Sequence, residues 1–387
     1  MTRAVATATV LDGLRAHGND YSGVERAFRA RTGLALTGLA STGLASTGLA
    51  STGLASTGLA STGPAPAGPL DRMPEGISEP VSVVVATYNG ARSLAGTLAG
   101  LEAQLWRGFE VVVVDDGSDP PVHRTVLEAG LTVPVTVVRN PVGLGAGAAR
   151  NIGLTVARGS TVVFLDDDIR VSRDALALLA LRQQHTEGCM FTGFRDNTGP
   201  DVFSVPDGAH PPRIERDWRW LSDRGGDRYV LTTAARDVPH CDRTSFELVK
   251  ESRYFKDFGH GRVIGFWDLP GMVSGHSLCV KRADAVSVGG FPEEYATRWG
   301  AEDLAFGALM AAGGIFVVPA LDWVAFHLRH EGRRVPRAVE HARLEQALDR
   351  YRSMLGRPLA ERRFPRHRLR RSAGAGRPGG ECYEVVP

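Results

Sequence analysis

Val162-Val163-Phe164-Leu165-Asp166-Asp167-Asp168 is the stretch that decides how this chain folds. An apolar run ending abruptly in three adjacent carboxylates reads as a buried strand that delivers negative charge to its own C-terminal end. Crowded carboxylates repel one another, and a divalent cation relieves that repulsion. Oxygen-rich clusters suit Mg²⁺ or Mn²⁺, especially where substrate phosphates complete the coordination shell. A plainer alternative is a polar turn acting as a helix N-cap, because Ser172 to Ala180 has a helical pattern and Asp is favoured at caps. Asp166 and Asp168 share one side of the strand end and face a ligand there. Asp167 is expected to point away.

Outward from this stretch, apolar runs alternate with amphipathic ones. Strands are predicted at Val81–Ala86, Phe109–Val114, Val133–Val138 and Thr161–Leu165. Helices are predicted between them at Ala91–Leu105, Val122–Ala129 and Ala146–Ala157. Four continuous apolar strands separated by helices imply a parallel sheet covered on both faces. From Arg195 to about Gly271 the pattern is irregular and rich in Arg, Asp, Gly and Pro. Order returns with a strand at Ser277–Val280, a helix at Glu302–Ala312, a strand at Ile315–Val318 and a final amphipathic helix at Arg337–Leu355.

The flanks differ in kind. Residues 1–30 hold a short helical pattern (Val10, Leu11, Leu14, Val24, Phe28) with no obvious core partner. Thr-Gly-Leu-Ala-Ser then repeats almost perfectly from Thr32 to Gly63. Gly at every fifth position opposes helix, and solenoid units run to about 20 residues or more, so this reads as a flexible linker. Residues 1–76 are therefore expected to be a dispensable, disordered extension. The C-terminal segment carries a basic tail (Arg362, Arg363, Arg366, Arg368, Arg370, Arg371), expected to be solvated and to make at most weak contact with anionic lipid head groups.

Composition is ordinary for a soluble globular protein, at 43% hydrophobic and 23% charged residues across 387. A net charge of +2 makes no case for nucleic acid as a partner. Lys is confined to Lys250, Lys256 and Lys281, so Arg carries the positive charge. The four cysteines, Cys189, Cys241, Cys279 and Cys382, lack CxxC spacing, which argues against structural zinc and fits reduced thiols. No apolar run approaches the roughly 18 residues of a membrane span. A cytoplasmic chain is the expectation.

Three of the predicted strands end in polar clusters that a parallel sheet places side by side, where open α/β sheets bind ligands. The first ends Thr87-Tyr88-Asn89-Gly90, the second Asp115-Asp116-Gly117-Ser118-Asp119, and the fourth Asp166-Asp167-Asp168. Tyr88 can stack on a pyrimidine base and an Asp carboxylate can accept the ring N–H. The metal at the third lip then holds a diphosphate. The alternative for Asp115–Ser118 is a simple turn. Gly143-Leu144-Gly145-Ala146-Gly147 precedes Arg150 and Asn151, and reads either as a Gly-rich helix entry near phosphates or as close helix–sheet packing. It follows the third strand, so it is not the dinucleotide fingerprint.

Further on, Trp299-Gly300-Ala301-Glu302-Asp303 puts two carboxylates at the start of a helix. They are either charges favoured by the helix dipole or a general base in a cleft. His327 closes the apolar run from Trp323. It is either a structural histidine or a third metal ligand, with His330 as its competitor.

Taken together, Val81–Asn89, Val111–Ser118, Gly147–Gly153, Phe164–Asp168 and Gly289–Asp303 resemble a family 2 glycosyltransferase of the GT-A fold over residues 80–335. The resemblance implies an α/β, doubly wound, mostly parallel sheet with an acceptor-side α+β extension. It implies transfer of a sugar from a nucleotide diphosphate donor, most often UDP, to a hydroxyl acceptor with inversion. It also implies that Asp166 and Asp168 form the Asp-x-Asp motif, with Mn²⁺ or Mg²⁺ as cofactor. Thr87, Tyr88, Asn89, Asp115 or Asp116, Arg150, Asn151, Asp166 and Asp167 become donor-binding residues. Trp-Gly-x-Glu-Asp resembles the acceptor-side motif of galactosyltransferases, which makes Asp303 the base and Glu302 an acceptor or orienting contact. His327 resembles the late metal-binding His of that group. The expected divisions are 1–76 (extension), 80–196 (donor half), 197–335 (acceptor and base half) and 336–387 (helix and basic tail). Processive-synthase signatures are absent, which favours single addition to a small, glycan or lipid-linked acceptor. Two other readings compete: a non-catalytic sugar-nucleotide-binding or assembly protein, and a nucleotidyltransferase, which lacks the phosphate-binding loop it would need.

Overall fold

Strand and helix alternate from Val81 onward, preceded by two helices, α1 (Val10–His17) and α2 (Ser22–Thr32). A computed structural model describes residues 8–17, 19, 21–36, 75–198, 269–295, 300–328, 337–372 and 381–386, with short strand pieces between 213 and 239. The donor half runs β1 (Val81–Thr87), α3 (Ala91–Glu102), β2 (Phe109–Asp116), α4 (His123–Glu128), β3 (Val135–Asn140), α5 (Ala146–Val156) and β4 (Thr161–Asp166). Then follow β5 (Ile169–Val171), α6 (Ala175–Gln184), β6 (Cys189–Thr198) and β7 (Arg213–Arg216). After α7 (Leu269–Met272) come β8 (Ser277–Lys281), α8 (Arg282–Ser287), α9 (Glu302–Ala312) and β9 (Phe316–Leu328). The last elements are α10 (Arg337–Leu355), β10 (Arg368–Arg371) and β11 (Glu381–Val386).

One large sheet takes the order β10-β11-β3-β2-β1-β4-β8-β6-β9-β5, with β7 on β6. Its centre, β11-β3-β2-β1-β4, is parallel throughout. Beyond β4 the sheet continues through antiparallel β8. This is the expected α/β fold, and the reason lies in the central strands. Val83 and Val85 of β1 join the core under α3 and α6, whereas Val84 joins the one under α5 and α9. A strand buried on both faces needs apolar residues at almost every position, hence the near-continuous runs.

Both flanks depart from expectation. Residues 1–76 are not a dispensable extension throughout, because α1 and α2 are built into the core. Val10, Leu14, Phe28 and Leu36 are fully or almost fully buried. Thr9 caps α1 in a reciprocal box with Asp12: its hydroxyl donates to Asp12 Oδ2 (2.8 Å) and accepts from the Asp12 N–H (3.2 Å). The partners are distant in sequence: the Val10 N–H donates to the Arg357 carbonyl (3.0 Å). Residues 37–74, which hold all but the first pentad of the repeat, lie outside the described residues. The basic tail is likewise not a solvated arm over its described part. β11 extends the main sheet beside β3, and β10 pairs with it. Its charges meet carboxylates: Arg362–Glu294 (3.1 Å), Arg370–Glu384 (2.8 Å) and Arg371–Glu381 (3.7 Å).

Cys189, Cys279 and Cys382 are free thiols, as expected, and burial pushes Cys189 and Cys279 up to about 12. Cys241 lies outside the described residues. No described helix is long and apolar enough to cross a membrane.

Candidate active site

Strand register fixes the floor of the site. Thr87 is level with Asp115 across β1 and β2, and Ala86 is level with Asp166 across β1 and β4. The three polar lips therefore stand in a row at the carboxyl ends of β2, β1 and β4. Two hydrogen bonds tie the first two together. The Asn89 N–H donates to Ser118 Oγ (2.9 Å), and the Asp119 N–H donates to Asn89 Oδ1 (2.8 Å). Asn89 can reach both because it takes a left-handed conformation (φ 56°), which Asn tolerates well.

The β2 carboxylates are occupied. Asp115, 1% exposed, accepts from the Ser118 N–H (2.9 Å), the Val122 N–H (3.2 Å) and Arg139 Nη1 (2.5 Å). Asp116 accepts from Asn140 Nδ2 (2.6 Å), the Leu144 N–H (2.9 Å) and the Gly145 N–H (2.7 Å). Both shape their own loops, so the turn reading of this cluster accounts for what these carboxylates do in the structure. The glycine-rich segment is held by Asp116 as well. Tyr88 stands out by contrast, 58% exposed beside Gly143, with its ring free to take a planar partner.

At the β4 lip the three carboxylates divide. Asp167 Oδ2 accepts a short hydrogen bond from the Thr87 hydroxyl, and its carbonyl accepts from Thr97 Oγ1 (2.8 Å). The contact is so close that a Cβ at Gly90 would lie 1.8 Å from Asp167 Oδ2. Thr87 and Asp167 thus brace β1 against β4. Asp168 turns the other way, its Oδ2 lying 3.1 Å from His327 Nε2. Antiparallel pairing of β9 with β5 sets His327 level with Ile169, next to Asp168. Asp166, with its side chain 36% exposed, takes Arg150 Nη2 at 3.0 Å.

Arg150 is the hub. Its other nitrogen, Nη1, bonds Glu302 Oε1 (2.9 Å), and its guanidinium lies over the Phe291 ring (5.4 Å). The backbone at Gly275 lies flat against it, since a Cβ there would sit 2.3 Å from Cζ. Burial works against the charged form, but Asp166, Glu302 and Asp303 outweigh it and raise the Arg150 pKa. Glu302 moves up too, through burial and the neighbouring Asp303, with Arg150 opposing. Asp303 accepts from the Leu304 N–H (2.8 Å) and the Gly275 N–H (3.3 Å).

Both carboxylates begin α9, where the helix dipole favours them. The entry is tight: Gly300 (φ 101°) and Ala301 (φ 73°) are both left-handed. Asn151, next to Arg150, faces elsewhere. Its amide donates to the Phe291 carbonyl (2.8 Å) and Glu293 Oε1 (2.9 Å) and accepts from the Phe291 N–H (2.9 Å).

Of the expected residues, then, the structure gathers Asp166, Arg150, Glu302 and Asp303, with Asp168 and His327 beside them and Tyr88 at the lip. Asp115, Asp116, Asn151, Thr87 and Asp167 serve as supports. Trp299 and His330 lie outside the described residues, as does most of 197–268. Arg139 and Gly275 were not anticipated. A basic residue at the end of β3 was the available signal for Arg139, which register sets level with Asp115. Among the described residues no trio of His, Cys, Asp or Glu is gathered as if for a metal ion. The donor chemistry of Asp168 and His327 nevertheless suits Mn²⁺ or Mg²⁺ when phosphate oxygens are added.

By sequence, residues 82–251 match the family model described as Glycosyl transferase family 2. The matched segment is similar to a family 2 glycosyltransferase domain. A glycosyltransferase of Haemophilus influenzae is 39% identical over 88 residues, covering 23% of this chain and 29% of that protein. The pre-mycofactocin glycosyltransferase of Mycobacterium tuberculosis is 37% identical over 109 residues, covering 28% and 22%. The chain thus spans under a third of the length of these two relatives. Among solved structures, a mannosyltransferase from Pyrobaculum calidifontis, in complex with GDP-Man and Mn²⁺, superposes with a TM-score of 0.45 at 21% identity, covering 70% of this chain and 63% of that one.

Proposed function

We propose that the protein is a metal-dependent, inverting glycosyltransferase that moves a sugar from a nucleotide diphosphate, UDP above all, to a hydroxyl acceptor. One observation carries the reading: a single buried guanidinium, Arg150, bonds a carboxylate of the β4 lip and a carboxylate of α9 at once. On this reading one guanidinium joins a donor-side carboxylate to an acceptor-side one. Tyr88 stacks on the base, and the loops held by Asp115 and Asp116 shape its slot. Asp166, Asp168 and His327 would hold the cation, which supplies charge neutralisation for the departing diphosphate.

The residues on α9 act on the acceptor. Asp303 takes the proton from the attacking hydroxyl as its oxygen bonds to the anomeric carbon, and the bond from that carbon to the diphosphate breaks on the opposite face. The diphosphate leaves with the electron pair, and the sugar is inverted. Glu302, held by Arg150, orients the acceptor. Single addition to a small-molecule, glycan or lipid-linked acceptor suits a chain without a processive signature.

A panel of UDP- and dTDP-sugars, assayed for hydrolysis with and without Mn²⁺, tests this. Metal-dependent release of one sugar is the expected result. Binding of UDP by calorimetry with no turnover on any donor would instead favour a non-catalytic sugar-nucleotide-binding role.

A further inference from the structure

The first N-terminal helix meets the body of the protein at the helix that bears Glu302 and Asp303. α1 lies along α9, the helix whose first turn holds Glu302 and Asp303. The approach is backbone-close: a Cβ at Gly13 would come within 2.8 Å of both the Ala312 methyl and its carbonyl oxygen. α9 is held on another side by α7, where a Cβ at Gly307 would meet Val273 at 2.7 Å. After α1 the chain rounds the sheet. Asn19 donates from Nδ2 to the Val317 carbonyl (3.1 Å) and accepts the Val317 N–H at Oδ1 (2.9 Å). One side chain thus replaces a pairing strand along that part of β9. Val10 and Leu14 belong to the core under α5 and α9, whereas Phe28 and Leu36 belong to the core on the opposite face.

The segment then ends and restarts at one place. Arg182 Nε on α6 donates to the Leu36 carbonyl (2.8 Å), and the Phe28 ring meets His185 edge-on at 6.5 Å. Two positions along the same turn, Gln184 Nε2 donates to the Gly76 carbonyl (2.9 Å), and its Oε1 accepts from the Ser78 N–H (2.7 Å). Leu36 and Gly76, the residues on either side of the segment that holds nearly all of the pentad repeat, are therefore both fastened to the last turn of α6.

We propose that residues 8–36 are a built-in brace of the helix bearing Glu302 and Asp303, and that the repeat joins two anchors whose positions do not depend on its length. The cost of closing such a loop grows only with the logarithm of its length. Gain or loss of pentads is then nearly neutral for the fold. The brace stands independently of the transferase reading; only the turnover arm of the test rests on that reading.

The full-length protein, with a specific protease site replacing Ser51-Thr52-Gly53-Leu54-Ala55, tests the brace. After cleavage the two pieces are expected to co-elute on size exclusion. Departure of the N-terminal piece with a fall in Tm also upholds the brace; departure with Tm unchanged overturns it. Uncut Leu14→Asp should lower Tm by at least about 5 °C, since it buries a charge in this contact. Gly13→Val should lower kcat by about fivefold or more while donor KM stays within about twofold, because only the acceptor-side helix shifts. Unchanged kcat, in a protein that does release sugar from its donor, rejects the effect on α9. Deleting Ser41 to Ala50 should leave Tm and kcat as they are, and a clear loss of either overturns the length-independent connection.

Discussion

The β2 lip and the β4 lip carry the same sequence signature, an apolar strand ending in adjacent aspartates, yet they do opposite work. At β2, backbone N–H groups and two side chains surround Asp115 and Asp116, which are buried and saturated. At β4, the partners of Asp166 and Asp168 are side chains that can also meet a ligand: a guanidinium and an imidazole. The difference between these two lips is that the β2 carboxylates are fixed largely by the backbone of their own loops, whereas Asp166 and Asp168 are met by the side chains of Arg150 and His327. A backbone partner cannot leave without refolding its loop, but a side chain can turn away.

The largest effect that would separate the two lips is expected from Asp168→Asn. Transfer should fall by about 10³-fold or more with Tm unchanged, because the loss is in stabilising charge on the leaving group. A variant retaining near wild-type kcat would remove the metal role from the β4 lip. At the other lip, Asp116→Ala should act on stability, costing about 3 kcal/mol by leaving buried donors without an acceptor. Urea melts measure it, and an intact midpoint with lost turnover would reverse the contrast drawn above. Tyr88→Ala sharpens it at the rim. Donor KM should rise about tenfold, since stacking on a base is worth about 1–3 kcal/mol, with no change in the melt. A KM equal to that of the wild type would place the base elsewhere.

Acidity offers a subtler probe. Burial and Asp303 raise the Glu302 pKa from its ordinary 4.5, so the folded form holds a proton that the unfolded chain has released. Stability should therefore fall as pH rises from about 4.5 through the raised value. In Glu302→Gln that slope should vanish, as read from Tm against pH; an unaltered slope assigns it to another group. Least affected should be Asp167→Asn, below about threefold in kcat, because an amide oxygen still accepts from Thr87. A loss comparable to that of Asp168→Asn would merge the two carboxylates into one function.

Much of the fold was legible because its signals are local. The β1, β2 and β4 runs are almost continuously apolar, broken only by Ser82, Glu110 and Thr161 before their polar ends, and the Glu302–Ala312 and Arg337–Leu355 helices have the predicted bounds. The three lips follow from those strands. What escaped was settled by partners far along the chain. Nothing in Val10-Leu11-Asp12-Gly13-Leu14 announces Arg357 or Ala312, although the Thr9–Asp12 cap was there to be read. β11 pairs parallel to β3 through a register that no periodicity reveals. Saturation of Asp116 depends on where the 142–145 loop folds back, and the orientation of Asn151 depends on Phe291. Residue type singled out the candidate site, and the geometry divides its residues into those bonded by loop backbone and those bonded by other side chains.

The entry to α9 has a dynamic consequence. Two successive glycines there would form a swivel, free to swing Glu302 and Asp303 between orientations. Position 301 instead carries a methyl, 7% exposed and packed in the core, on a backbone conformation that resists it. The joint is thereby locked at a small cost in stability, and the two carboxylates keep a fixed bearing towards Arg150. Reorienting the two carboxylates then requires moving α9 as a whole, not flexing its first turn.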